Sequence, residues 1–143
     1  MVFSQAEDYA GTRLELLQRQ LTSFLSEHIR PVKLLASLKE PRMVLEADDP
    51  VARANVDSIL DNFLNSLNVE VCYLMDAKGI TIASSNRNDY DSFVGKDFSF
   101  RPYFQNALTG SAAVYLAQGT TSRKRGIYYS YPVYDRHAMM IIG

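Results

Sequence analysis

The strongest constraint on the fold is a change of period near residue 68. Before it, apolar residues recur every three to four positions, and after it they alternate, so helices must come first and strands second. Residues 6–38 carry Leu14, Leu17, Leu21, Phe24, Val32 and Leu35, interleaved with Glu15, Gln18, Arg19, Gln20 and Glu27. That pattern predicts one long amphipathic helix. Heptad a/d positions run through Leu14, Leu17, Leu21, Phe24, His28, Pro31, Leu35 and Leu38. So few heptads do not separate a coiled-coil seam from burial on the chain's own core, and burial is the preferred reading. Pro31 lacks the N–H that bonds back one turn, which predicts a kink, or an end and a restart. Residues 39–42 break the pattern, residues 43–45 are apolar and ambiguous, and Asp49-Pro50 opens a second helix that runs through Val56, Leu60 and Phe63 to about Leu67.

From Val69 the chain reads as strands joined by turns: residues 69–75, a turn at 76–79, then 80–84 as a hairpin. A polar loop follows at 86–92, a turn at 95–97, and a short helix from Pro102 to Leu108 ended by Gly110. Strands at 112–118 and 126–133 flank a loop at 119–125, and residues 138–142 begin a fifth strand that reads as cut short at Gly143. The fold class is α+β: a long N-terminal helix packed on an antiparallel sheet. Residues 1–47 form an N-terminal helical region and 48–143 the α/β core of a single domain.

With 15 basic and 16 acidic residues among 143, no broad basic surface is available for nucleic acid. No apolar run approaches the ~20 residues that span a bilayer, so any membrane attachment comes from segments outside this sequence. Cys72 is the single cysteine and reads as core filling, and His28 and His137 stand far apart without a ligand cluster, so no metal or other cofactor is expected. Ser84, Ser85 and Ser130 have no histidine linked to them by a local motif, and no catalytic residue is assigned.

The chain concentrates its chemistry between Gly95 and Val133. Proline disfavours the α region for the residue before it, so Arg101 is held extended at the edge of the helix that begins at Pro102. A guanidinium beside Tyr103 and Phe104 can take a carboxylate bidentately while rings exclude water. The alternative is an internal pair with an acid such as Asp97. Parity on the strand at 126–133 puts Tyr128, Ser130 and Pro132 on one face and Ile127, Tyr129, Tyr131 and Val133 on the other. The charges at Arg123, Lys124 and Arg125 read as a solvated turn, with an anion-attracting lid as the functional alternative.

The run Gly95 to Phe104 with its Arg101-Pro102-Tyr103-Phe104, then Gly119-Thr120-Thr121-Ser122, then Tyr128-Tyr129-Ser130-Tyr131-Pro132-Val133, resembles the extracytoplasmic Cache sensor domains of bacterial signalling receptors, and dicarboxylate-sensing histidine kinases above all. The likeness in residues covers about 93–135; over the N-terminal helices it is architectural. It implies a PAS-like five-stranded antiparallel sheet, with a ligand lying against the sheet under the Arg-Pro-aromatic segment. By the same matching Arg101, Tyr103, Tyr115, Tyr128 and Ser130 line the pocket, with Thr120 and Thr121 at its rim. Amino-acid-sensing members carry Tyr-x-Asp where this chain has Tyr115 and Ala117, so the partner for a ligand ammonium is missing. A plain carboxylate is favoured, because a buried unpaired ammonium is costly. Lys96 stands where such domains usually have a tyrosine, and adds positive charge if it points inward.

The resemblance implies a non-enzymatic, periplasmic or extracellular sensor domain of a membrane-bound receptor (a histidine kinase, diguanylate cyclase or chemoreceptor). It would bind a small carboxylate and form a homodimer through the N-terminal helix. The alternative is a dimerisation module with a vestigial pocket.

Overall fold

The computed structural model describes residues 2–118 and 125–143, with side chains described from Thr12 onward except at positions 22, 24–26, 28 and 115–125. Helix α1 (Val2–Ser37) runs through Pro31 without ending, although the proline forfeits one backbone bond. Its C-terminal turns are held by Leu35 and Ala36, which pack on the core. Leu38 turns extended at φ −69° and ψ 155°, and a new helix α2 (Lys39–Glu46) starts at once. The expected break at residues 39–42 is therefore a helix start. Pro41 falls in the first turn of α2, where backbone N–H groups have no intrahelical acceptor and a missing one costs nothing. Helix α3 (Pro50–Leu67) begins as expected: the Asp49 carboxylate accepts from the Ala52 N–H at 2.8 Å, and Asn68 closes the helix at φ 52°.

Strand β1 (Tyr73–Met75) pairs antiparallel with β2 (Thr81–Ser84), both shorter than the alternation predicted. The Asp76 carboxylate accepts from the N–H groups of Lys78 and Ile80 and fixes the turn between them. After α4 (Pro102–Leu108), β3 (Ala113–Gln118) pairs antiparallel with β4 (Arg125–Ser130). In place of one five-stranded sheet, the described residues form two two-stranded sheets. Other segments join through bridges, Ile80 with Asp97 and Tyr134 with Ile141. The expected fifth strand is reduced because Asp135 accepts from the N–H groups of Met139 and Met140, folding residues 135–140 into a tight turn that leaves a short antiparallel pairing of residues 133–135 with 140–143.

Two apolar clusters hold these parts. Val44, Ala52, Val56 and Leu60 from the helices meet Leu74, Ala83 and Val133 on one side of β1–β2. Tyr103, Phe104 and Ala113 gather Tyr73, Met75 and Tyr128 on the other. Successive strand residues face opposite ways, so Leu74 reaches the helices while Tyr73 and Met75 look toward α4.

The N-terminal part of α1 departs from the preferred reading of its stripe. Leu14, Leu17 and Leu21 are 57%, 58% and 56% exposed, so among the described leucines of that face it is Leu35 that packs on the chain's own core.

Candidate functional site

The site is built around Arg101. Its φ of −73° and ψ of 133° are the extended conformation required before Pro102, and its N–H donates to the Phe98 carbonyl at 3.0 Å. Its own carbonyl accepts from Phe104 and Gln105, opening α4. The backbone on both sides is thus fixed, and the side chain follows: Arg101 is only 9% exposed, with its guanidinium carbon 5.0 Å from the centre of the Phe100 ring. Asp97, the candidate internal partner, spends its carboxylate on Ser99 in its own turn, whose hydrogen bonds hold it below the usual carboxylate range.

Three tyrosines from three elements meet one another next to this segment. The hydroxyls of Tyr73 on β1 and Tyr103 on α4 are 2.6 Å apart, and the Tyr103 ring stacks on Tyr128 of β4 with centroids 5.3 Å apart and planes 11° from parallel. Burial pushes both the Tyr73 and the Tyr103 phenol above the ordinary tyrosine range, while the Arg101 charge pulls each back. Both hydroxyls therefore stay protonated near neutral pH as hydrogen-bonding groups. Phe93 and Phe98 meet Tyr73 edge-on at 5.2 and 6.0 Å and each other at 5.2 Å, walling the same space with carbon. A cation and phenols inside an apolar cage can hold a small carboxylate, since an anion removed from water needs charge-assisted donors.

Of the residues predicted from sequence, Arg101, Tyr103 and Tyr128 are brought together. Ser130 reaches the same place, but its hydroxyl donates to the Tyr103 carbonyl at 2.9 Å and so ties β4 to α4. Tyr115 pairs in register with Tyr128, although its side chain lies outside the described residues. Thr120 and Thr121 lie outside the described residues, as does most of the basic turn at 122–125. Lys96 is exposed, and its carbonyl accepts from the Thr81 N–H, so its charge is directed to solvent. Sequence reasoning missed Tyr73, Phe93 and Phe98. Tyr73 sits in an alternating run where it reads as an ordinary strand residue, and only the pairing of β1 with β2 shows which face it takes. Cys72 is a packing residue whose thiol burial pushes up to about 11, too high for a thiolate near neutral pH.

A separate apolar groove of about 560 Å³ lies between α1 and α3, lined by Arg30, Pro31, Leu34, Phe63 and Leu67 among others. None of the tyrosines around Arg101 lines it.

The architecture that carries this site is that of a histidine-kinase sensor domain. The crystal structure of the sensor domain of the Vibrio cholerae histidine kinase DctB matches all of this chain with a TM-score of 0.84 and 30% identity, the chain covering 55% of that one. The chain is homologous to the C4-dicarboxylate transport sensor proteins DctB: it is 32% identical over 131 residues to the Pseudomonas aeruginosa protein and 35% identical over 89 residues to that of Rhizobium meliloti. Those alignments take in 91% and 62% of this chain, but only 21% and 14% of the two relatives. No protein-family model matches the chain. The likeness to dicarboxylate-sensing kinases drawn from residues 93–135 is thus borne out.

Proposed function

We propose that this chain is the extracytoplasmic sensor domain of a membrane-bound histidine kinase, placed in the periplasm, and that it binds a C4-dicarboxylate beside Arg101. The observation that carries the reading is the nearly buried Arg101 cation, whose charge acts on the phenols of the Tyr73–Tyr103 hydroxyl pair, with Phe93 and Phe98 packed edge-on against Tyr73. Homology to sensors named for C4-dicarboxylates supports the ligand class. Ala117, where amino-acid sensors carry an acid, weighs against an α-amino acid. The domain itself performs no chemistry in this reading. The two hairpins and the bridged segments at 95–98 and 133–142 serve as the PAS-like sheet, residues 48–143 as the ligand-binding core and residues 1–47 as the helical region that carries the signal.

Titration calorimetry with succinate tests the ligand assignment. Arg101→Ala should weaken binding at least tenfold, about 1.4 kcal/mol. Arg101→Lys, which keeps the charge but loses the planar fork, should recover only part of it. An unchanged isotherm for Arg101→Ala removes the arginine from the site.

One observation supports a second part of the reading, a homodimer through α1. Leu14, Leu17 and Leu21 continue the face on which Leu35 meets the core, but lie about 20–30 Å further along the helix at 1.5 Å per residue, each more than half exposed. An isolated helix showing such a stripe is marginal in water, and the same stripe on a second copy is its matching partner. A ligand bound near Tyr128 then signals only by favouring one arrangement of the two α1 helices over another. Should the pocket bind nothing, the same stripe supports the alternative of a dimerisation module.

A further inference from the structure

The pairing of β1 with β2 contains an irregularity that bears directly on the pocket. Tyr73 is opposite Ser84 and Leu74 opposite Ala83, but Met75 is opposite Thr81, so Ile82 is an extra residue in β2. Ile82 and Ala83 both pack toward the helical core. In an unbroken strand, alternation would put Thr81 on the same side as Ala83, under the helices. The bulge shifts the parity by one and turns Thr81 to the side of its partner Met75, which packs against the cluster of Tyr103, Phe104 and Ala113. Directly opposed residues have Cβ atoms about 4.5–5.5 Å apart, and bulges recur where a side chain is re-aimed beside a functional site.

Thr81 is 1% exposed and its Oγ1 has no hydrogen-bond partner among the described residues. The backbone is not the reason for its burial in this state: its N–H donates to the Lys96 carbonyl at 2.9 Å and its carbonyl accepts from the Gly95 N–H at 2.8 Å. Only the hydroxyl is unmatched, and an orphaned buried hydroxyl is a cost that native structures rarely carry without a use. The neighbouring buried hydroxyl, Ser84, shows the ordinary arrangement, donating to Asn86 at 2.6 Å. Bulk water does not reach Thr81, and the parity set by the bulge turns its hydroxyl to the face of β1 that carries Tyr73 and Met75.

We propose that the Thr81 hydroxyl is a ligand-binding and specificity-determining group of the pocket, donating a hydrogen bond to one carboxylate oxygen of a dicarboxylate while Arg101 holds the charge. This assignment rests on the carboxylate reading of the site. A ligand that offers the hydroxyl an acceptor gains the bond and removes the orphan. A ligand that fills the space with carbon leaves it unpaired, so Thr81 selects for a second polar end.

Two oxygen deletions test it by calorimetry with succinate, with butyrate, which lacks the second carboxylate, as the comparison ligand. Thr81→Val keeps the branched shape and Thr81→Ser keeps the hydroxyl, and the pair Ser against Ala at this position differs only by the oxygen. We expect Val to bind succinate about tenfold more weakly than the wild type, and Ala about tenfold more weakly than Ser. The preference for succinate over butyrate should shrink in both, while urea midpoints without ligand stay equal or rise. If neither pair separates by more than twofold while Arg101→Ala does lose binding, the Thr81 assignment is wrong and the carboxylate site stands. If the wild type does not bind succinate at all, the carboxylate reading fails and this one with it. Should Val not fold, the Ser and Ala pair alone decides.

Discussion

Gly79 gives the sharpest link between local backbone geometry and the binding site. It sits at φ +88°, and a Cβ built there would lie 2.6 Å from both the Cα and the Cβ of Ser99. Gly95 has nearly the same backbone, φ +84°, but a Cβ there meets nothing within 4 Å. Ala at either position pays the left-handed penalty of about 1–2 kcal/mol. Only at 79 must the chain also move, and what it moves is the segment two residues before Arg101, held to Gly79 by the Phe98 N–H donating to the Gly79 carbonyl at 2.9 Å. Overpacking against backbone adds about 1–3 kcal/mol. Gly79→Ala should therefore lose roughly 2–5 kcal/mol of unfolding free energy in urea, against about 1–2 for Gly95→Ala. Succinate affinity should fall at least tenfold for the former and less than threefold for the latter. Equal losses in the two variants would refute the view that the 79–99 contact sets the position of Arg101.

Two further outcomes follow from the surface groups. Asp61 is held below the usual carboxylate range chiefly by its hydrogen bonds from Arg87, at 2.7 and 2.9 Å. A depressed folded pKa gives stability that is present above the unfolded value near 4 and is lost as pH falls through the folded one. Urea midpoints between pH 5 and 2 should drop less steeply for Asp61→Asn than for the wild type, and an identical slope would deny the pair that role. Leu17→Glu with Leu21→Glu should turn a dimer into a monomer in sedimentation equilibrium with little change in unfolding midpoint, since neither leucine packs on the core. A large loss of stability in a chain that is monomeric throughout would instead place the stripe against another part of its own protein.

The order of helices and strands was legible because it depends on local periodicity, and so were the Asp49 cap and the extended Arg101, each set by a proline beside it. Residues 39–42 were misread for an instructive reason: Pro41 looks like a breaker, yet in the first turn of a helix it removes a donor that has no partner. The pocket was half legible. Arg101, Tyr103 and Tyr128 could be matched residue by residue, whereas Tyr73 and Thr81 belong to the site only through long-range pairing of β1 with β2, and Thr81 only through one extra residue in that pairing. No period in residues 80–84 marks Ile82 as the extra residue, because Ile82 and Ala83 are both apolar and both pack on the helical core, and the alternation rule assigns a side chain on the far side of an unseen bulge to the wrong face. A site whose cation is set by a proline and whose hydroxyl is set by a bulge thus shows its charge in the sequence and keeps its selectivity for the fold.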